Sequence, residues 1–282
     1  MQPAQISLPY FDALLEQLGR GEAEVEEAFG RHVHWGYWEN PAQADSSVDD
    51  FAAAAERLCQ RVYSVAHIKE GDRILDAGCG FGGTISSLNE HFNNIELIGL
   101  NIDPRQLVRA RQEVQPHGSN QIKFVEGDAC RIPFPDASFD VVLAVECIFH
   151  FPSRVEFFQE VRRILRPSGR LAICDFVPLP VFKLVGKFLE KFGSAYVGGT
   201  YGRVDSHFTL ADYQKLAQES GFALTCQEDI TLNTLPTYPI VRRLFERMGK
   251  SDSANVTASI ELISRLRLLR YLILSFAVLP NS

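Results

Sequence analysis

The chain has no surplus of positive charge. Its 28 lysines and arginines stand against 35 aspartates and glutamates, a net charge of -7 with a pI near 5.6. No whole-molecule field therefore draws it to nucleic acid, and a polyanionic substrate is disfavoured. There is no C-x-x-C pair: the six cysteines (Cys59, Cys79, Cys130, Cys147, Cys174, Cys226) are scattered, and no His/Cys cluster falls at metal-ligand spacing. No metal site is expected, and the thiols read as free and buried in a reducing compartment. The first seven residues lack a basic region followed by an apolar core, which argues against a secretory signal. The apolar run from Leu266 to Leu279 is broken by Arg267 and Arg270 and is too short to span a bilayer. A cytoplasmic protein is expected.

What is present suits one α/β domain carrying insertions: 282 residues, 46% hydrophobic and 22% charged. The organising stretch is Ile74 to Gly83, where a short apolar run stops at Asp76 and a glycine cluster before helical spacing resumes from Thr84. This reads as strand, tight turn and helix. Gly78 and Gly80 can adopt positive φ and carry no Cβ, so a ligand can lie against their backbone near a helix N-terminus. Asp76 offers a carboxylate to a cationic or amino group. The glycines from Gly78 to Gly83 also satisfy the dinucleotide fingerprint G-x-G-x-x-G, so the turn alone leaves a nicotinamide enzyme open.

Further along, Ile95 to Leu100 reads as a second strand ending at Asn101-Ile102-Asp103-Pro104, with Pro104 opening a helix. Ile122 to Val125 leads to Glu126-Gly127-Asp128-Ala129. Pro133-Phe134-Pro135-Asp136-Ala137-Ser138-Phe139-Asp140 turns into the strand Val141 to Val145, followed by Glu146-Cys147-Ile148-Phe149-His150. A helix from Arg154 to Leu165 ends at Arg166-Pro167-Ser168-Gly169, and Arg170 to Phe176 is a fifth strand. This series, with Asp76 two residues before the first glycine, resembles the class I S-adenosylmethionine (SAM)-dependent methyltransferases. The likeness is strong from Arg73 to Phe176 and looser in the flanks. Arg31-His32-Val33-His34-Trp35-Gly36-Tyr37-Trp38-Glu39 resembles the H-x-G-Y-W segment of the branch acting on sterols, tocopherols and other small metabolites.

The resemblance implies a Rossmann-like, doubly wound, seven-stranded sheet closed by an antiparallel last strand, for which Tyr271 to Leu279 is the candidate. It implies SAM as cofactor and S-adenosylhomocysteine as product, held by Tyr37, Asp76, Gly78, Cys79, Gly80, Asn101, Ile102, Gln106, Asp128, Ala129 and Glu146. Asp128 would meet the adenine amine and Ala129 N–H a ring nitrogen. Where the family carries an acid for the ribose hydroxyls this chain has Asn101, whose amide makes weaker bonds than a carboxylate; Asp103 is the alternative. Strand-end positions face the cleft in such sheets, which makes Glu146 and His150 the catalytic candidates, with His150 as proton acceptor. Trp38, Phe149, Tyr196, Tyr201 and His207 are the candidate substrate pocket, and Tyr37 and Trp38 would turn π faces to the sulfonium.

The expected organisation is an N-terminal helical cap and aromatic flap (1–47), a SAM-binding core (48–177 and 208–230), lid insertions (178–207 and 231–269) and a closing strand (270–282). Within the first insertion, Val181 to Phe192 spaces Lys183, Lys187 and Lys191 four apart. It reads as a lid helix or as a weak contact with an anionic membrane surface, which would make the protein peripheral to a membrane. The function expected is methyl transfer to carbon or oxygen of a small apolar, aromatic or isoprenoid metabolite, by a monomer or homodimer, without nucleic acid. The alternatives are an N-methyltransferase of an amine, amino acid or alkaloid, with Asp205 and Glu146 as acidic pocket walls, and a SAM-binding partner protein without catalysis.

Overall fold

A computed structural model describes residues 8–181, 198–205 and 207–280. Most of the expected helix Val181 to Phe192, and Tyr196, lie outside the described residues. Seven strands form one sheet: β1 Arg73–Ala77, β2 Glu96–Asn101, β3 Gln121–Glu126, β4 Phe139–Val145, β5 Leu165–Pro178, β6 Phe222–Asp229 and β7 Leu269–Val278. Their spatial order is β3-β2-β1-β4-β5-β7-β6. The first five run parallel, and β7 pairs antiparallel with both β5 and β6.

Burial on both faces explains why the central strands read as unbroken apolar runs. Along β4, Val142 and Ala144 enter the layer beneath α6 (Arg154–Ile164), while Val141, Leu143 and Val145 enter the opposite layer beneath α3 (Val48–Ser64), α4 (Gly83–His91) and α5 (Pro104–Glu113). Phe157 and Phe158 of α6 are fully buried, and each such side chain removed from water is worth roughly 2–3 kcal/mol.

The helix ends follow side-chain chemistry. Ser47 accepts from Asp50 N to start α3, Ser153 accepts from Glu156 N to start α6, and Thr209 with Asp212 forms a reciprocal box before the helix Leu210–Glu219. Each cap is worth about 1 kcal/mol. β5 begins earlier than the expected Arg170: Phe139 pairs with Leu165 and Val141 with Arg170, so Arg166–Gly169 bulges within the strand, with Ser168 at φ 69°.

A second apolar body sits over the carboxyl ends of the strands. It is built from α1 (Pro9–Gly19), α2 (Ala23–Phe29) and the helices Thr237–Arg247 and Ser251–Arg265. Leu14, Phe29, Trp38, Phe51, Ile240 and Leu244 pack together there. Among the described residues, no helix is long and apolar enough to cross a membrane, and no three His, Cys, Asp or Glu side chains gather as a metal site.

Candidate active site

Two cavities meet above the strand ends. The first is walled by the glycine turn after β1 and by the ends of β2, β3 and β4. Gly78 (φ 83°) and Gly80 (φ 55°) both take left-handed backbone, for different reasons. A Cβ on Gly78 would lie 2.8 Å from Cys147 Sγ, so its bareness serves packing; a Cβ on Gly80 would meet nothing within 4 Å, so its bareness leaves open space in the cavity wall.

Asp76, Gly78, Cys79, Gly80, Asn101, Ile102, Gln106, Asp128, Ala129 and Glu146 all line this cavity. Asp76 is 1% exposed and its Oδ2 has no hydrogen-bond partner. Burial pushes its carboxyl up to about 7, opposed only by Thr84. An orphaned carboxylate oxygen at a cavity wall is the donor set's best fit to an amino group. At the far end, Asn101 Nδ2 donates to Gln106 Oε1 (2.8 Å), placing two amides together where a ribose can lie. Asp103 does not reach the cavity wall: it caps α5 through Arg105 N and pairs with the Arg105 guanidinium. Asp128 Oδ1 accepts from Cys130 N. These residues fit a nucleoside joined to an amino acid, the parts of SAM.

The second, larger cavity is almost wholly apolar. Phe149, Tyr201, Trp35, Phe176, Leu244 and Ile263 are among its walls, and among the described residues no lysine or arginine is. Tyr10, Val33, His34, Glu146 and His150 line both cavities and so form the junction.

His150 Nδ1 lies 3.1 Å from the Arg203 carbonyl and must donate to it, which leaves the Nε2 lone pair to accept from the Tyr10 hydroxyl at 3.2 Å. Burial pushes His150 down to about 4, against the Arg203 carbonyl, so the ring is neutral at neutral pH. Glu146 is held at φ 52°, in the left-handed region that costs a non-glycine residue about 1–3 kcal/mol. Its Oε2 accepts from Trp35 N (2.9 Å) and from the Tyr271 hydroxyl. Burial pushes this carboxyl up to about 8 even though both bonds pull it down. His34 is pushed down to about 3, first by burial and then by His32, and heads a hydrogen-bonded row through His32 to Glu56.

Three expected residues stand elsewhere. Tyr37 and Trp38 line neither cavity. A Cβ on Gly36 would strike Ala54 Cβ at 2.7 Å, so only glycine lets the chain press onto α3 here. Tyr37 N then bonds Ala54 O with its ring against Arg61, and Trp38 Nε1 bonds Asp50 (2.7 Å). The tryptophan that faces a cavity is Trp35. His207 also lies outside both cavities. Asp205, an acidic wall only under the N-methyltransferase alternative, is drawn onto Arg154 (2.6 Å). Tyr10 is the residue that sequence reading missed: it sits on α1, and nothing in the local pattern points across 140 positions to His150.

Comparison with known proteins agrees with this geometry. Residues 75–173 match the family described as methyltransferase domain. The chain is 32% identical over 253 residues to methyltransferase GfsG of Streptomyces halstedii, covering 87% of each chain. It is 28% identical over 236 residues to 27-O-demethylrifamycin SV methyltransferase of Amycolatopsis mediterranei, covering 83% of this chain and 82% of that one. The solved structure of the cyclase SpnF shares the fold, with a TM-score of 0.73 over 96% of this chain and 94% of that chain at 22% identity. With a glycine turn, an orphaned acid and an amide pair around one cavity, and this extent of identity, the chain belongs to the class I SAM-dependent methyltransferases and acts on small molecules with SAM as methyl donor.

Proposed function

We propose that the enzyme methylates a hydroxyl oxygen of a neutral, lipophilic metabolite, with His150 and Tyr10 receiving the hydroxyl proton. The observation that carries this reading is the Tyr10–His150 pair at the junction, a bare imidazole nitrogen facing a hydroxyl where the two cavities meet. SAM, when bound, supplies an electrophilic methyl group, and its transfer leaves S-adenosylhomocysteine. Asp76 would hold the amino group, Asn101 and Gln106 the ribose, and Asp128 and Ala129 the adenine.

The acceptor hydroxyl can take Tyr10's place on Nε2 or pass its proton through the Tyr10 hydroxyl to Nε2. As oxygen gains the methyl group its proton becomes strongly acidic, so a weak base such as a buried His is adequate. Glu146, neutral until its carboxyl ionises, would hold Trp35 and Tyr271 in place and set the width of the junction. The apolar walls exclude water and align the acceptor. The wall of the larger cavity comes mainly from the cap and from 201–269, which we assign as the parts that choose the substrate.

Two features favour a neutral acceptor. Among the described residues no cationic side chain lines the larger cavity, so a phosphate or diphosphate would find no partner in that lining, and Asp205 is drawn onto Arg154 rather than offered to an amine. The hydroxyl as target is supported by the 27-O-demethylrifamycin SV methyltransferase likeness. The test is labelled methyl transfer from SAM to a panel of lipophilic alcohols and phenols, prenyl diphosphates and amines, repeated with His150→Ala and Tyr10→Phe. Turnover on alcohols or phenols that falls about 100-fold in His150→Ala is expected. Turnover confined to amines or diphosphates, or indifferent to His150, would overturn the reading.

A further inference from the structure

Asp205 does not face the acceptor cavity, yet it sits two residues beyond the carbonyl that orients His150. We propose that the Arg154–Asp205 ion pair is a latch that holds the Arg203 carbonyl against His150 Nδ1 and thereby fixes which ring nitrogen is bare. This makes Asp205 a positioning residue, and the proposal rests on the reading of His150 as proton acceptor.

Arg154 is the first residue of α6 and is 4% exposed. It is anchored from behind: Nη2 meets Asp175 Oδ2 (2.9 Å) at the inner end of β5, Nε donates to the Tyr213 hydroxyl (3.0 Å), and Tyr213 in turn donates to Asp175. Asp175 is completely buried, so the guanidinium cannot swing toward solvent without abandoning a buried carboxylate. Phe208 lies over it with the guanidinium carbon 5.0 Å from the ring centre. Arg154 is therefore a fixed post.

Asp205 comes to this post from the solvent side, its side chain 46% exposed. It is held four times: Oδ2 to Nη1 (2.6 Å), its carbonyl to Nη2 (3.0 Å), its N–H to the carbonyl of Phe149, the residue before His150, and Oδ1 accepting from His207 N (3.1 Å). Asp205 and His150 thus share a frame in which the Arg203 carbonyl has little freedom. At the other end of the strip, the Tyr201 hydroxyl bonds Thr257 (2.8 Å) and Thr200 bonds Ser253 (3.1 Å), so the cavity wall from 200 to 205 is pinned on both sides. Without the carbonyl, nothing else described requires the His150 proton to stay on Nδ1. An Nε2–H tautomer would present a donor where the acceptor hydroxyl needs a lone pair.

The decisive experiment reads the ring nitrogens directly. Two-bond ¹H–¹⁵N correlation spectra of uniformly ¹⁵N-labelled protein report the tautomer, with His150 identified by its absence in His150→Ala. In the wild type His150 should show a protonated Nδ1 and a bare Nε2. In Asp205→Ala and Asp205→Asn the signals should move toward the Nε2-protonated form, kcat should fall about tenfold, and S-adenosylhomocysteine affinity should hold within about twofold. Unchanged His150 nitrogens in both variants would overturn the proposal; should Asp205→Ala fail to fold, Asp205→Asn decides alone. Turnover indifferent to His150→Ala would instead remove His150 from the chemistry, while the nitrogen signals would still decide the latch.

Discussion

Glu146→Gln separates charge from shape at the junction of the two cavities. Glutamine keeps a carbonyl oxygen to accept from Trp35 N and the Tyr271 hydroxyl, so geometry is retained, and it has no proton to lose. The carboxyl it replaces is pushed by burial from an ordinary 4.5 to about 8. Below about pH 4.5 this acid is neutral in both the folded and unfolded chain. Between there and about 8 the unfolded chain gives up the proton while the folded chain keeps it, so unfolding becomes easier as pH rises. Beyond the folded value both are ionised and the effect is complete. At about 1.4 kcal/mol per pH unit the upper bound is about 5 kcal/mol. Relaxation and water entry around an ionised buried carboxylate bring the expectation to about 2 kcal/mol. Urea unfolding of both proteins at intervals from about pH 5 to 9 gives the difference curve directly. Asp76, also elevated, is present in both and cancels. Glu146→Gln should gain on the wild type by about 2 kcal/mol across that interval. A difference curve flat in pH would refute the claim that burial holds this carboxyl neutral.

The two glycines of the turn should respond oppositely to alanine. Gly80→Ala should cost only about 1 kcal/mol of stability for its left-handed backbone yet weaken S-adenosylhomocysteine binding by at least about tenfold, because the methyl enters open cavity. Gly78→Ala drives its methyl into Cys147 and should cost about 2–3 kcal/mol, read by thermal unfolding and partly relieved by Cys147→Ala. S-adenosylhomocysteine should bind more tightly as pH climbs from about 5.5 to 7, by up to tenfold per pH unit, because its ammonium favours the ionised form of Asp76. Calorimetric titration of Asp76→Asn over the same range should be flat.

The sheet was legible because its central strands are buried on both faces and its punctuation is chemical: Asp76 and the glycines after β1, and Pro104 at a helix start. The residues expected to hold the cofactor, Tyr37 apart, line one cavity for the same reason, since its walls are strand ends. What failed was the aromatic segment. Trp35 and Trp38 stand three apart in a stretch with no regular period, and tertiary contacts such as that of Gly36 with Ala54 decide which of these two buried rings reaches a cavity. Tyr10 was hidden because its helix reads as an amphipathic cap whatever its far partner is. Asp205 was open to reading as an acidic wall, under the N-methyltransferase alternative, because its charge is visible in sequence, whereas the Arg154 that claims it is brought there by tertiary packing.

The placement of β7 has a consequence for how the molecule is assembled. β6 pairs within the sheet with β7 alone, and β7 lies between β5 and β6 although it follows both in the chain. During synthesis β5 is exposed along one edge, and β6 has no partner, until some 40 further residues have been made and threaded back. The half of the sheet from β3 to β5 is closed by crossovers that are complete much earlier. Assembly therefore divides into an early parallel half, which carries the glycine turn, and a late antiparallel insertion that brings Tyr271 to Glu146. The cavity at the glycine turn can begin to form before the hydrogen bond that fixes Glu146 exists, so the wall of the second cavity is the last part of the enzyme to acquire its shape.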